Sequence, residues 1–166
     1  LVVYFPGSTI GNLVPDEAVK LLRTTRDLVG SDGGLLIGVD TKKEKAILEP
    51  AYNDSQGISA EFNLNLLHRM NRELDTNFDV KAFEHHSFYN EKFGRIENHL
   101  RSLQEQTVSL QTHSFKLEKG ETIHTEYSYK YDDEDIKKLT HQAGFVLVKS
   151  WKDDDGMFGV HYLRAE

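Results

Sequence analysis

Two short apolar runs frame the first forty residues. Leu1-Val2-Val3-Tyr4-Phe5 and Leu35-Leu36-Ile37-Gly38-Val39-Asp40 are too short for helices and have the β-branched and aromatic content of buried strands. Between them, Pro15 to Val29 places Ala18, Leu21, Leu22 and Leu28 on one helical face, with Lys20, Arg23 and Arg26 outward. Pro15 suits a first helical turn, and Asp16 and Glu17 favour the N-terminal end of its dipole. Gly30-Ser31-Asp32-Gly33-Gly34 stops that helix. Strand, helix and strand in this order predict two parallel strands joined by a right-handed crossover.

The texture then changes. Lys42 to Tyr52 and Ile58 to Leu74 predict two helices, the second packing through a stripe of Phe62, Leu66, Leu67 and Met70. A short helical turn is expected at Asp79 to Phe83. From His86 to Tyr131 the period shortens to two, with strands around Phe88, Arg95–Leu100, Val108–Leu110, Phe115–Leu117 and Thr122–Tyr129. Asp132 to Gly144 returns to a helix with acids in its first turn and His141 near its end. Phe145–Trp151 and Phe158–Leu163 close the chain as strands around the Asp153-Asp154-Asp155-Gly156 turn, with Trp151 expected in the core. The pattern is half of an open α/β sheet, residues 1–41 and 132–166, interrupted by an inserted α+β region over residues 42–131. Insertions of that kind build substrate pockets above the sheet edge.

The corner after the first strand is the most suggestive stretch. Pro6 cannot donate to a strand ladder, Gly7 and Gly11 let another molecule approach the backbone, and Ser8, Thr9 and Asn12 offer polar groups. A strand, a small polar loop and a helix are the layout of a ligand site at the carboxyl edge of a parallel sheet. An ordinary strand-to-helix turn has the same texture.

Charge and composition narrow the partners. A net charge of -7 with scattered lysines and arginines argues against a nucleic-acid backbone as partner. Without cysteine there is neither a disulfide framework nor a thiolate metal site, which fits a reducing, cytoplasmic compartment. No apolar run approaches membrane-spanning length. A metal site is not expected: His85-His86 are adjacent residues that rarely chelate together, and Glu97-x-His99 and His124-x-Glu126 are better explained as solvated cross-strand pairs. The chain opens inside a predicted buried strand, so a piece of a longer protein, cut on its N-terminal side, is expected. Its open edge at Leu1 to Phe5 would permit dimerisation by strand pairing.

Several motifs come in a familiar order: Phe5-Pro6-Gly7-Ser8-Thr9-Ile10-Gly11-Asn12, Gly38-Val39-Asp40, Ala51-Tyr52-Asn53-Asp54, Phe62-Asn63-Leu64-Asn65, Asn71-Arg72-Glu73-Leu74, Arg95-Ile96-Glu97 and Gly120-Glu121-Thr122-Ile123-His124-Thr125-Glu126. Together they resemble the histidine-specific Nα-methyltransferases of ergothioneine biosynthesis, over essentially the whole chain. The resemblance implies a Rossmann-like class I methyltransferase sheet, here its C-terminal half, with an inserted α+β substrate-binding region. It implies S-adenosylmethionine as methyl donor and conversion of histidine to hercynine as the reaction. Fungal relatives in the family methylate a prenylated tryptophan, so methylation of another aromatic amino acid stays open, as does a non-catalytic binding module of the same fold.

Site residues follow from the same resemblance. Asn12 and Tyr52 match contacts to the amino and carboxylate ends of the substrate, Glu126 and Ser128 match the pair that grips the imidazole, and Gly7 lies where backbone approaches the reacting amine and the donor. Tyr52, or water leading to bulk, is the candidate to receive the amine's proton. The family's Gly-rich donor loop and the acid after its second strand are expected upstream, so a chain of this extent should bind the donor weakly or not at all. Two positions depart from the pattern. Asn98 stands where bacterial histidine enzymes have methionine against the substrate ring, and Asn53 replaces a common aspartate. The first could loosen histidine preference; the second could retune a turn.

Overall fold

The computed structural model describes residues 1–166, and these divide into two compact units. The first comprises Leu1–Glu44, Asn90–Ile96 and Tyr127–Glu166; the second comprises Lys45–Tyr89 and Glu97–Glu126. No helix is long and apolar enough to cross a membrane.

The first unit is built on strands β1 (Val2–Phe5), β2 (Gly34–Asp40), β8 (Phe145–Lys152) and β9 (Phe158–Ala165), which form one sheet in the order β1-β2-β9-β8. β1 and β2 run parallel, as a crossover through α1 (Pro15–Val29) requires, and β9 is antiparallel to both β2 and β8. Ile10, Ala18, Leu22, Leu35, Ile37, Val39, Leu139, Phe145 and Leu163 make the core of this layer.

Three burial expectations are corrected here. β1 alternates exposed and half-buried residues, with Val2 55% and Tyr4 68% exposed, because only β2 pairs with it. On α1 the buried stripe is Ala18, Leu22 and Val29; Leu21 and Leu28 lie beside it and stay exposed. Trp151 sits on the outer half of the edge strand β8 and is 45% exposed. Helix α4 (Asp133–Gln142) starts as its acids predict: Asp132 accepts from the Glu134 and Asp135 amides, and Asp135 accepts from the Asp132 amide.

The second unit holds α2 (Lys45–Tyr52), α3 (Ile58–Leu74), a 3-10 turn at Val80–Ala82, and the antiparallel hairpin of β5 (Gln106–Leu110) and β6 (His113–Leu117). Residues 83–89, 97–102 and 122–126 of its sheet come from β3 (Phe83–Asn90), β4 (Arg95–Ser102) and β7 (Thr122–Tyr129), in the order β3-β4-β7. Its core is Leu67, Phe83 and Leu100, with Leu64, Phe78, Val80, Leu117 and Ile123 against them.

The expected stripe on α3 is half right. Leu67 is fully buried, but Phe62 is 77% and Leu66 39% exposed. The buried neighbour of Leu67 is Asn63, one turn earlier. Its amide nitrogen donates to the His99 carbonyl at 3.1 Å and meets His85 Nδ1 at 2.9 Å, so a polar side chain takes the inward position with its NH2 group bonded twice.

Candidate functional site

The corner after β1 is set by close backbone packing. A side chain at Gly38 would stand 2.1 Å from the Pro6 carbonyl oxygen, so glycine there lets the chain leaving β1 lie on β2. Ser8 takes a left-handed conformation (φ 55°), donates its amide to the Gly38 carbonyl at 3.1 Å, and accepts from the Asp40 amide through Oγ at 2.9 Å. Gly11 is likewise a packing glycine, since a Cβ there would be 2.8 Å from the Tyr129 carbonyl oxygen. Gly7 differs. Its φ is not in the left-handed range, and an added Cβ would touch nothing but Thr9 Oγ1, at 3.6 Å. Neither packing nor torsion calls for glycine at 7, which leaves open backbone at the carboxyl end of β1. Asn12 closes the 3-10 turn Thr9–Asn12 on an exposed face. It is not the cap of α1; that position belongs to Val14 and carries no side-chain bond.

At the carboxyl end of β2 lies a constellation the sequence did not suggest. Lys130 is only 2% exposed, and its Nζ lies 2.6 Å from Asp40 Oδ2 and 2.9 Å from Ser128 Oγ. Asp40 also accepts from Lys43. Burial alone would raise the Asp40 carboxyl, but hydrogen bonds from Lys130 and Lys43 outweigh it and hold the group below the usual carboxylate range. Backbone bonds fix the same junction: the Tyr131 amide donates to the Asp40 carbonyl at 3.0 Å. Ninety residues separate Asp40 from Lys130. The only signal in the sequence was an acid closing an otherwise apolar strand.

In the second unit, Glu126 accepts from Asn98 Nδ2 at 3.0 Å. That bond orients the amide, because a carboxylate calls for the NH2 end. Asn98 Oδ1 is left buried with no partner. The strand is irregular just before this point. Ile123 packs with Leu100 in the core, His124 meets His99 on the opposite face, and Glu126 bonds Asn98 on the Leu100 side again. Side-chain alternation therefore slips by one residue near Thr125, as at a β-bulge. His124 and Glu126 do not share a face as expected. Past the slip, Glu126 and Ser128 are two apart on β7, the spacing of a common face.

Tyr52 ends α2, half-buried. Its carbonyl faces His85 Nε2 at 2.8 Å, while His85 Nδ1 faces the Asn63 amide at 2.9 Å. The carbonyl needs a donor and the amide an acceptor, so His85 donates from Nε2 and accepts at Nδ1. Asn53 donates to the Glu49 and Ser87 carbonyls at 2.9 and 3.1 Å, and Glu49 accepts from the Tyr89 amide. Three contacts thus fasten the end of α2 to β3. Aspartate at position 53 could make neither of those donations, which gives the departure at Asn53 a local structural reason.

The opposite sheet face carries imidazoles. His99 stacks on Phe88 and meets His124 edge-on, with ring centroids 5.7 and 5.2 Å apart. Glu97, expected to be solvated, is buried and lies 3.4 Å from His99 Nε2. Burial lowers the His99 pKa; Glu97 opposes that, and His124 and His86 add to it.

Of the residues singled out from sequence, Gly7, Asn12 and Ser128 belong to the first unit, and Tyr52 and Glu126 to the second. The chain is 38% identical over 160 residues to the histidine N-alpha-methyltransferase of Mycolicibacterium smegmatis, covering 95% of this chain and 50% of that protein. It is 27% identical over 161 residues to ergothioneine biosynthesis protein 1 of Schizosaccharomyces pombe, covering 96% of this chain and 21% of that protein. It therefore spans half or less of the length of these relatives. A solved S-adenosylmethionine-dependent methyltransferase from Clostridium acetobutylicum aligns with a TM-score of 0.50 at 7% identity, over 99% of this chain and 57% of that one, and shares the fold. The family profile described as histidine-specific methyltransferase, SAM-dependent, matches residues 1–165, and with the fold in agreement the chain belongs to that family.

Proposed function

We propose that the protein transfers methyl groups from S-adenosylmethionine to the α-amino nitrogen of histidine. The observation that carries this is the family match across residues 1–165. The open backbone at Gly7 fits the donor, because nothing in the fold requires glycine there except space beside the strand end. When bound, the donor supplies an electrophilic methyl carbon on a sulfonium.

The residues of this chain hold the acceptor. Glu126, steadied by Asn98, takes a ring N–H, and Ser128 addresses the second ring nitrogen. Asn12 and Tyr52 take the amino and carboxylate ends. The attacking amine has to be neutral, and Tyr52 or a water is positioned by role to receive its proton. A direct displacement needs little covalent help, and holding amine and methyl carbon in line supplies roughly 7–11 kcal/mol of the barrier. Absence of cysteine supports work in a reducing, cytoplasmic compartment.

The test is mass spectrometry and calorimetry on the full-length protein with histidine or tryptophan, using S-adenosylmethionine for turnover and its demethylated product for binding. The expected result is α-N-methylated histidine and a measurable histidine affinity. Methylation of tryptophan in preference to histidine would move the assignment to another aromatic amino acid. Absence of turnover and of donor binding would leave a binding module.

A further inference from the structure

His85 and His86 are neighbours in the chain and part company in the fold. Successive side chains of β3 face opposite ways, so His86 lies beside Phe88 and His99 while His85 turns to α3. There His85 stands in a line of donors. Buried Asn63 donates through its NH2 group to the His99 carbonyl at 3.1 Å and to His85 Nδ1 at 2.9 Å. His85 Nε2 in turn donates to the Tyr52 carbonyl at 2.8 Å. The His99 carbonyl fixes which end of the Asn63 amide points inward, and that amide makes Nδ1 the accepting nitrogen. The N–H on Nε2 is thereby aimed at the last residue of α2. A carbonyl at a helix end takes its donors from outside the helix. Asn53 and Glu49 fasten neighbouring backbone to β3, whereas His85 meets Tyr52 itself. Tyr52, Asn63, His85 and His99 all belong to the second unit.

With Tyr52 taken as a substrate contact of the proposed function, we propose that His85 is a positioning residue. It sets where Tyr52 stands, and so tunes affinity for the amino and carboxylate ends of the substrate, without acting on the ring. The two nitrogens of His85 can be tested apart. Asparagine at position 85 keeps an acceptor near Nδ1 for Asn63 and falls short of the Tyr52 carbonyl. Glutamine places an NH2 group near Nε2 and keeps the donor to Tyr52.

Steady-state kinetics of the full-length protein test this, with histidine as substrate and 4-methylimidazole, which has the ring and neither end, as competitive inhibitor. His85→Asn should raise KM for histidine about three- to tenfold, as for loss of one hydrogen bond. The inhibition constant of 4-methylimidazole should stay at its wild-type value. His85→Gln should bring KM back toward wild type. His85→Phe, which fills the ring's space and has no N–H, carries the same expectation as His85→Asn should that variant fail to fold. A residue that merely holds the fold would weaken both ligands together or lower kcat alone, and either result would overturn the proposal. So would an unchanged KM in His85→Asn, or a His85→Gln variant no better than His85→Asn. Tyr52→Ala separates the two levels: an unchanged KM there would overturn the role given to Tyr52, and the proposal with it. Absence of histidine methylation by the wild type would instead overturn the histidine reading itself.

Discussion

Glu126 and Ser128 stand two residues apart on one strand, and their supports are opposite in kind. The charged residue is held by a neutral amide, Asn98, whose own carbonyl is left buried and unpartnered. The neutral residue is held by a buried charge, Lys130, balanced in turn by Asp40 and beyond it by Lys43. The first support includes a charge-assisted hydrogen bond made at the cost of an orphaned acceptor. The second is a network in which the two ammonium groups of Lys130 and Lys43 meet on the one carboxylate of Asp40. A network of that kind fails badly when its central acid is removed, whereas a single bond can be lost with modest consequences for stability.

The largest effect follows from the network. Asp40→Ala leaves the Lys130 ammonium buried beside Ser128 without its carboxylate, and should cost about 3–5 kcal/mol in urea unfolding of the full-length protein. A loss under about 1 kcal/mol would show that the lysine relaxes to solvent and that the contrast between the two supports is smaller than drawn.

Next come the two glycines of the corner. Gly11→Ala drives a methyl against the Tyr129 carbonyl and should destabilise by about 1–3 kcal/mol. Gly7→Ala meets only Thr9 Oγ1 and should leave the unfolding midpoint alone while weakening donor binding in calorimetry. Equal destabilisation by both would remove the structural case for an open backbone at Gly7.

Asn98→Leu sharpens the comparison from the other side. It deletes the bond to Glu126 and also the unpartnered carbonyl, so stability should change by less than about 1 kcal/mol while kcat/KM for histidine falls. A large loss of stability with unchanged kcat/KM would make Asn98 a fold residue and leave Glu126 self-supporting.

His161 supplies a buried ionisable group without a buried counter-ion. It is 2% exposed, bonded to Ser150 Oγ at 2.8 Å, and its pKa is lowered by burial, which Asp133 opposes and Lys152 reinforces. Its folded pKa lies below its unfolded value, so its contribution is complete above about pH 6.5 and is lost as pH falls beneath that value. His161→Gln should flatten this part of the stability profile in chemical unfolding; an unchanged slope would assign the acid sensitivity elsewhere.

The elements were legible because apolar periodicity and turn residues are local. The acids at Asp132 to Asp135 announced α4, and Pro15 with Asp16 and Glu17 announced α1. Burial was harder to read. Asn63 displaced Phe62 from the inner face of α3 because hydrogen-bond partners on His85 and His99 made a polar residue acceptable there. The irregularity near Thr125 reversed the expected faces of His124 and Glu126, and nothing in that stretch marks an extra residue. Asp40 and Lys130 escaped notice for a different reason: each is an ordinary charged residue until folding buries the two together.

The central claim is that Glu126 selects the ring, and kcat/KM for histidine against tryptophan in the full-length Glu126→Ala variant tests it most directly. Loss of the carboxylate removes a charged hydrogen bond that imidazole uses and apolar rings do not, so histidine should fall by about 10²-fold or more while tryptophan falls far less. A histidine-to-tryptophan ratio equal to that of the wild type would contradict it.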